Sequence, residues 1–324
     1  MTATLIIPTV HHRAAFFART LHYFDACAMR GPVIVSDHSP AEHSGVIADI
    51  ASRHTGLSIR LIRHTPDMHF LERLADCARA AETPYVHLHA DDDFVLPETL
   101  AGLIREMDSD AGCVAAMGFN INAYFDRQQF TPIKKFPVMQ ADPLSRLIAQ
   151  LENYSSVLYA LRRRDEFVDS LDFSRTRCPD VQFWQYLESC VAVLKGKVLV
   201  LEDLHYVRET HAAKWSSTLV RERSADHFPY LILNPEFQAR VTAFRSAIEE
   251  ACTSCGIEAA GDTVDNGIIH LLYRGFGAMG LPPRHTPEDT TSFKALLEKK
   301  LGNPHDPAIA GLNRIFAVRA AQIS

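Results

Sequence analysis

The chain has 324 residues, of which 47% are hydrophobic and 22% are charged. These fractions are typical of a folded globular protein and exclude an intrinsically disordered chain. The formal net charge is -6 and the isoelectric point lies near 6.2. No overall basic field therefore attracts nucleic acid or an anionic membrane, and nucleic acid is excluded as an expected partner.

The cysteine pattern favours a reducing compartment. The seven cysteines are an odd number spread along the whole chain, and the sequence enters an apolar run at residues 5–7 without a basic region before it. Both features argue against secretion and predict free thiols in the cytoplasm. No segment approaches the roughly 18 apolar residues that a spanning helix needs, so we expect at most peripheral contact with the inner face of a membrane.

The first ninety residues alternate between strand and helix patterns. Short β-branched runs predict strands, and the segments between them carry helical periodicity. The predicted strands cover residues 4–8, 32–36, 58–62 and 85–89, and the predicted helices cover residues 13–29, 44–54 and 70–81. This alternation predicts an α/β fold with a mostly parallel sheet and helices on both faces.

The pattern continues less regularly and then becomes helical. Helices are predicted over residues 97–107, 144–152 and 179–190, strands over 114–118, 121–125, 156–161, 197–200 and 201–207, and a loop over 131–143. Long amphipathic patterns follow at residues 236–252, 265–279, 292–300 and 308–321. We therefore predict an α/β domain over residues 1–212 and a helical C-terminal portion over residues 213–324.

An acidic run directly follows the fourth predicted strand. The segment reads Tyr85-Val-His-Leu-His-Ala-Asp-Asp-Asp-Phe94, and ligands of open α/β sheets bind at the carboxyl ends of strands. Three adjacent carboxylates repel one another, so a cation among them would stabilise the run. Alternate residues of an extended run face the same side, which predicts that Asp91 and Asp93 face a divalent ion while Asp92 turns aside. Mg²⁺ or Mn²⁺ would bridge these carboxylates to a diphosphate.

Three segments together resemble the GT-A glycosyltransferases. The opening Thr4-Leu-Ile-Ile-Pro-Thr9, the strand Val33-Ile-Val-Ser-Asp37 and the acidic run are similar to the first strand, the nucleotide-binding strand end and the DxD motif of that family. The likeness covers residues 4–210 and is greatest to family-2-like bacterial enzymes of surface-polysaccharide synthesis. It implies transfer of a sugar from a nucleotide-sugar donor, with a UDP-sugar favoured, to a saccharide or lipid-linked acceptor, assisted by Mn²⁺ or Mg²⁺.

The resemblance also assigns roles to residues of the donor site. The second strand ends in Ser36-Asp37-His38-Ser39, where relatives often have two acids and a glycine. That departure leaves the nucleotide base open, although Asp37 would lie near the base or ribose. The late histidines would join the metal, and a late arginine would bind the diphosphate. The residues implied to contact the donor are Pro8, Thr9, Arg13, Asp37, Asp92 and Arg208, and those implied to hold the metal are Asp91, Asp93, His205 and His211.

The resemblance further implies a general base. Inverting GT-A enzymes place an acidic residue at the start of a helix after the acceptor-side strands, and Cys178-Pro-Asp-Val-Gln-Phe-Trp184 is similar to that element. Asp180 is thus the candidate base that removes the acceptor proton. A retaining mechanism would make it an acceptor contact instead. The helical C-terminal portion would pack on the catalytic domain, cover the acceptor cleft or form a homodimer.

Two other classes of function stay open. The order His87-Leu-His-Ala-Asp-Asp92 resembles the metal motif of metallo-β-lactamase-type hydrolases, so a dinuclear metallohydrolase would use His87, His89 and Asp91. That motif has a histidine where this chain has Asp92. A non-catalytic binding protein that keeps the GT-A fold is the second alternative.

Overall fold

A computed structural model describes residues 3–125, 129–180, 183–210, 235–258, 260–278, 303 and 305–321. The strands are β1 (Ala3–Thr9), β2 (Pro32–Asp37), β3 (Ser58–Arg63), β4 (Tyr85–Leu88), β5 (Phe94–Val95), β6 (Cys113–Tyr124), β7 (Gln129–Ile133), β8 (Leu161–Arg163) and β9 (Lys197–Glu209). The helices are α1 (Ala14–Ala26), α2 (Ser44–Ser52), α3 (Phe70–Arg79), α4 (Pro97–Ser109), α5 (Pro143–Glu152), α6 (Arg164–Arg177), α7 (Trp184–Lys195), α8 (Gln238–Ser254), α9 (Gly261–Ala278) and α10 (Pro307–Ala320).

The described strands form one sheet in the order β3-β2-β1-β4-β8-β6-β9-β5, with β7 paired to β6. Strands β1 to β4 are parallel to one another. The short β8 is antiparallel to both β4 and β6, and β9 is parallel to β6. The carboxyl ends of β1, β2, β4, β6 and β9 therefore lie at one edge of the sheet. The predicted α/β fold is confirmed.

The apolar strands are covered on both faces. Leu5 and Ile7 of β1 lie in one core cluster with side chains of α1 and α4, whereas Ile6 between them lies in another with side chains of α3 and α6. Successive strand residues point to opposite faces, so a continuous apolar run needs cover on both sides. This explains why the strand lacks the polar alternation of a solvated sheet.

The helices near the C-terminus pack on the α/β core. Helices α8 and α9 pack with α5 and α7 in a third core cluster, where a side chain at Gly267 would overlap Leu151. Helix α10 inserts Ile315 and Val318 beside α1. Residues 292–300 and the expected boundary near residue 212 lie outside the described residues. Among the described helices, none is long and apolar enough to span a bilayer.

Several predicted elements differ from the observed ones. Two predicted strands, 114–118 and 121–125, form the single strand β6, and 197–200 and 201–207 form the single strand β9. The pairing of these two strands shifts register around Gly118, where an added side chain would meet the Asp203 carbonyl at 2.1 Å. This close approach needs glycine and explains the break in the sequence pattern.

Three further predictions are corrected. Most of the predicted strand 156–161 is instead a turn leading into the short β8, because the Ala160 amide donates to the Val157 carbonyl at 3.0 Å. Part of the predicted loop 131–143 is the edge strand β7, which tolerates Pro132 at the sheet margin. Helix α7 begins at Trp184 rather than at residue 179.

Candidate active site

The acidic residues form a turn at the carboxyl edge of the sheet. Asp91 and Asp92 occupy turn positions between β4 and β5, and the Asp93 amide donates to the Ala90 carbonyl at 3.3 Å. All three aspartates are buried. We call residues 91–93 the acidic turn. Because the backbone is folded rather than extended here, the expected alternation of side chains does not hold.

Arg13 joins the first two carboxylates. Its Nε donates to both carboxylate oxygens of Asp91, at 2.8 and 2.9 Å, and its Nη2 donates to Asp91 Oδ1 at 2.6 Å. The same Nη2 lies 2.9 Å from Asp92 Oδ2. The hydroxyl of Thr9 donates to Asp91 Oδ2 at 2.8 Å. Thr9 and Arg13, both predicted to contact the nucleotide-sugar, therefore bind the acidic turn directly.

The pKa values at this contact reflect burial and pairing. Burial raises the pKa of Asp91, and the bonds from Arg13 only partly offset that effect. Burial alone would lower the pKa of Arg13, but the bonds to Asp91 outweigh it and raise that pKa. The guanidinium thus stays charged, and its attraction to the two carboxylates is strengthened by their removal from water.

Helix α1 and strand β9 hold the backbone of the acidic turn. Arg19 Nη2 donates to the Asp92 carbonyl and Thr20 Oγ1 to the Asp91 carbonyl, each at 2.8 Å. The Glu209 amide donates to Asp93 Oδ1 at 2.9 Å. These bonds from two separate elements fix the turn and direct Asp93 toward β9, away from the oxygens that Arg13 binds.

Glu209 connects the acidic turn to the C-terminal helix. Its carboxylate lies 2.8 Å from Arg19 Nη1 and 3.2 Å from Arg319 Nη2 of α10. The Arg319 guanidinium also lies over the Phe125 ring, 5.1 Å from its centroid. Helix α10 is thus part of the ionic network behind the site.

Arg208 interacts electrostatically with Asp93 and Asp92 of the acidic turn, and a second cation, Lys135, interacts with Arg208. Burial by itself would lower the pKa of Arg208, but Tyr159 and Asp93 outweigh that effect and raise it. Burial, with a smaller contribution from the charge of Arg208, lowers the pKa of Lys135 to about 8. Lys135 also donates to the Ser156 carbonyl at 3.3 Å. Holding two cations together is unfavourable unless an anion lies between them.

Lys135 was not predicted as a site residue, because it lies in the predicted loop 131–143. Its one sequence signal was a pair of lysines, Lys134 and Lys135, just after an apolar run. Asn120 and Asn122 of β6 were missed as well. Their side-chain oxygens, like Arg208 Nε, are buried and find no hydrogen-bond partner among the described residues. Unpaired polar groups at a sheet edge are typical of a site that binds a polar ligand.

The predicted base-side residues lie at the ends of β1 and β2. Asp37 is adjacent to Thr9 in the sheet, and its Oδ1 accepts from the Ser39 amide at 2.9 Å and from the Ser39 hydroxyl at 2.5 Å. Asp37 therefore closes a turn in this structure. Pro8 pairs with Ser36 and is half-buried. A contact of either residue with a nucleotide stays a prediction.

Asp180 precedes helix α7. Its carbonyl accepts from the Trp184 amide at 2.9 Å, and its carboxylate lies 3.0 Å from Arg240 Nη1 of α8. The neighbouring Pro179 carbonyl lies 3.1 Å from His69 Nε2 at the start of α3. The base assignment stays a prediction.

The expected metal site is not assembled among the described residues. Asp91 is bonded to Arg13, while Asp93 turns toward β9. His205 is fully buried and shares a 3.1 Å Nε2-to-Nε2 hydrogen bond with His87. No group of three or more His, Cys, Asp or Glu side chains in the described part of the chain is arranged to hold a metal. His211 lies outside the described residues.

The same histidines argue against the metallohydrolase alternative. His87 and His89 are fully buried, with His89 edge-on to Phe24 at 5.2 Å. Burial lowers the pKa of each to about 3, so both are neutral core groups. A hydrolytic zinc site needs an open coordination position for water. These residues contribute to packing beneath the acidic turn.

The overall structure resembles solved glycosyltransferase structures. TarS 1-349 from S. aureus in complex with UDP-GlcNAc matches with a TM-score of 0.57 and 16% sequence identity over 92% of this chain and 80% of that chain. The same protein in complex with UDP gives a TM-score of 0.55 and 14% identity over 99% and 91%. No protein-family model matches the sequence, and a search of curated proteins found no match. The chain thus has a GT-A-type glycosyltransferase fold, and its acidic turn lies at the carboxyl edge of that sheet.

Proposed function

We propose that this protein is a glycosyltransferase that takes a sugar from a nucleotide-sugar donor. The observation that carries the proposal is the position of Arg208 near the carboxyl end of β9 of a GT-A fold, in register with Asn122 of β6, with the second cation Lys135 close enough to repel its charge. Two cations held together favour a ligand with at least two negative charges, as a nucleoside diphosphate has. The solved complexes of TarS with UDP-GlcNAc and with UDP support a UDP-sugar as the donor.

In this proposal the diphosphate lies between Arg208 and Lys135. The nucleoside extends toward the ends of β1 and β2, where Pro8, Thr9 and Asp37 line its path. Asn122 is paired with Arg208 across β6 and β9, so its unpartnered oxygen faces the same region and can accept from a sugar hydroxyl. The cations neutralise the charge that grows on the diphosphate as it leaves.

The acceptor reacts from the opposite face of the donor sugar. Asp180 removes the proton of the acceptor hydroxyl, the oxygen forms a bond to the anomeric carbon, and the bond to the diphosphate breaks with inversion. The acceptor is a saccharide or lipid-linked saccharide of surface-polysaccharide synthesis. The Mn²⁺ or Mg²⁺ expected from the resemblance forms no part of this proposal, because the described side chains do not fit such an ion.

The proposed setting is the cytoplasm, at the inner face of the membrane where a lipid-linked acceptor would be reached. The seven cysteines are free thiols, which suits a reducing compartment. We retain the division into a catalytic domain over residues 1–212 and a helical portion over residues 213–324 as part of this proposal. A homodimer formed through the helical portion stays a prediction.

The test measures release of the nucleotide from a panel of UDP-, GDP- and CDP-sugars. Because the acceptor is not identified, water takes its place and the assay follows hydrolysis of the donor. Asp180→Asn is expected to slow release by about 10²- to 10³-fold, because the variant cannot take the proton. Its affinity for the free nucleotide should not change. The matched control is Asp169→Asn, which alters an exposed aspartate paired with Lys195 on the surface.

Each outcome of that assay has a definite meaning. If Asp180→Asn releases nucleotide as fast as the wild-type protein, Asp180 is not the base. If the wild-type protein neither binds a nucleotide nor releases one from any donor, the glycosyltransferase proposal is wrong and the non-catalytic alternative stands.

A further inference from the structure

The place that a divalent ion would take at the acidic turn is already filled by a side chain. Arg13 bonds both oxygens of Asp91 and one oxygen of Asp92, at 2.6 to 2.9 Å. A hard cation that binds both oxygens of Asp91 would have to displace this guanidinium. The displacement would also break the contact of Arg13 with the Phe16 ring, whose centroid lies 4.9 Å from the guanidinium carbon.

Arginines already pair with the carboxylates around the acidic turn. Arg13 pairs with Asp91 and Asp92, and Arg19 and Arg319 pair with Glu209. A cluster of carboxylates attracts a divalent ion when its charge is uncompensated. In the described part of this chain the arginines already supply that compensation.

Arg13 retains one group for a ligand. Its hydrogen bonds to the acidic turn use Nε and Nη2, and Nη1 makes none with the described residues. The side chain is 18% exposed, whereas those of Asp91 and Asp92 are 4% and 2% exposed. The outer edge of the guanidinium is thus the part of this contact that a phosphate can reach, and a guanidinium binds phosphate strongly.

We infer that Arg13 is the resident cation of this site, and that nucleotide binding and sugar transfer need no divalent metal. The inference rests on the proposed function for the identity of the ligand. Asp91 and Asp92 then act as positioning residues that hold Arg13, and the leaving diphosphate is neutralised by Arg13, Arg208 and Lys135. The acidic turn thus binds Arg13 in place of the divalent ion that the sequence predicted.

The test measures Mn²⁺ directly, by the electron paramagnetic resonance signal of the free ion. The wild-type protein should leave this signal unchanged, and with UDP present it should bind no more Mn²⁺ than UDP alone does. Arg13→Ala removes the guanidinium that binds Asp91 and Asp92, so the variant should bind Mn²⁺ at least about tenfold more tightly than the wild-type protein. Arg79→Ala, which breaks an exposed pair with Asp172, is the control.

The measurements on the wild-type protein test the inference even if Arg13→Ala fails to fold. Arg13→Gln provides a second variant, which keeps a polar side chain but removes the charge. Wild-type binding of Mn²⁺ that Asp91→Asn abolishes, with or without UDP, would overturn the inference. So would a folded Arg13 variant that gains no Mn²⁺ binding. Nucleotide affinity in EDTA should lie within about twofold of that in Mn²⁺, and a larger loss in EDTA would also count against it. Absence of all nucleotide binding would instead refute the proposed function. The Mn²⁺ measurement would then still test whether Arg13 takes the place of the ion.

Discussion

Two ionic clusters with similar components occupy different positions in this protein. In the interior, Arg162 pairs with Glu166 and Glu188 and lies over the Phe167 ring. At the sheet edge, Arg13 and Arg19 pair with the acidic turn and Glu209. The interior cluster ties β8 to α6 and α7, whereas the edge cluster has a partly exposed guanidinium.

The two clusters differ in whether a ligand can reach their charged side chains. Arg162 and Glu188 have side chains 1% and 0% exposed, so a ligand cannot reach them and neither can leave its partner without unfolding. Arg13 is held as firmly on one side but meets solvent on the other. The interior cluster is therefore expected to fix the fold, and the edge cluster is the binding surface in the proposed function.

The largest expected effect comes from breaking the interior cluster. Glu188→Ala leaves Arg162 buried with one carboxylate fewer, which should lower the free energy of unfolding by about 3–5 kcal/mol. Urea denaturation measures this loss. The control is Arg177→Ala, which removes an exposed pair with Glu250 and should change stability by less than about 1 kcal/mol. A loss from Glu188→Ala as small as that of the control would show that the interior cluster does not stabilise the fold.

The second effect is a loss of stability in acid. Burial lowers the pKa of His87 and of His89 from 6.5 to about 3, so the unfolded state binds more protons than the folded state between these values. Stability therefore falls as the pH drops below 6.5, by about 2 kcal/mol for each histidine at pH 5. Unfolding free energies at pH 8 and pH 5 measure this difference.

A variant assigns that loss to the buried histidines. His87→Gln should reduce the difference between pH 8 and pH 5 by about 2 kcal/mol, whatever it does to the stability at pH 8. His22→Gln, on the exposed face of α1, should leave the difference unchanged. An unaltered difference in His87→Gln would mean that other groups cause the acid sensitivity.

The smallest effect is expected at the outer end of the edge cluster. Arg319→Ala removes one of the two arginines on Glu209. Because Arg319 is 25% exposed, the loss of stability should be no more than about 1 kcal/mol. Urea denaturation and nucleotide affinity together check this prediction. A loss as large as that of Glu188→Ala would place the edge cluster among the elements that fix the fold.

Sequence reasoning succeeded where neighbouring residues determine the structure. In the first ninety residues each strand is one unbroken apolar run, and the helices between them follow the apolar period, so strands β1 to β4 were predicted to within about two residues at each end. Strand β9 was divided in the prediction, because Glu202 and Asp203 are exposed at the register shift. The position of the acidic turn after β4 also followed from the local pattern.

The contacts within the site were beyond that reasoning. Arg13 and Asp91 are 78 positions apart, and nothing in either local segment indicates that one binds the other. The predicted alternation of Asp91 and Asp93 assumed extended backbone, which the bonds from Arg19 and Thr20 on α1 replace with a turn. Lys135 comes near Arg208 through a loop that pairs with β9 at Val138 and Val198. Such pairings depend on tertiary structure.

The central claim is that the edge of the sheet binds a nucleoside diphosphate through the chain's own cations. Calorimetric titration of UDP, GDP and CDP in EDTA tests it, using wild-type protein, Arg208→Ala and the exposed control Arg79→Ala. One nucleotide should bind to the wild-type protein and to the control, with affinity about 10- to 100-fold lower in Arg208→Ala, since a charged pair with the phosphate is lost. No binding of any nucleotide to the wild-type protein, or equal affinity in Arg208→Ala, would contradict the claim.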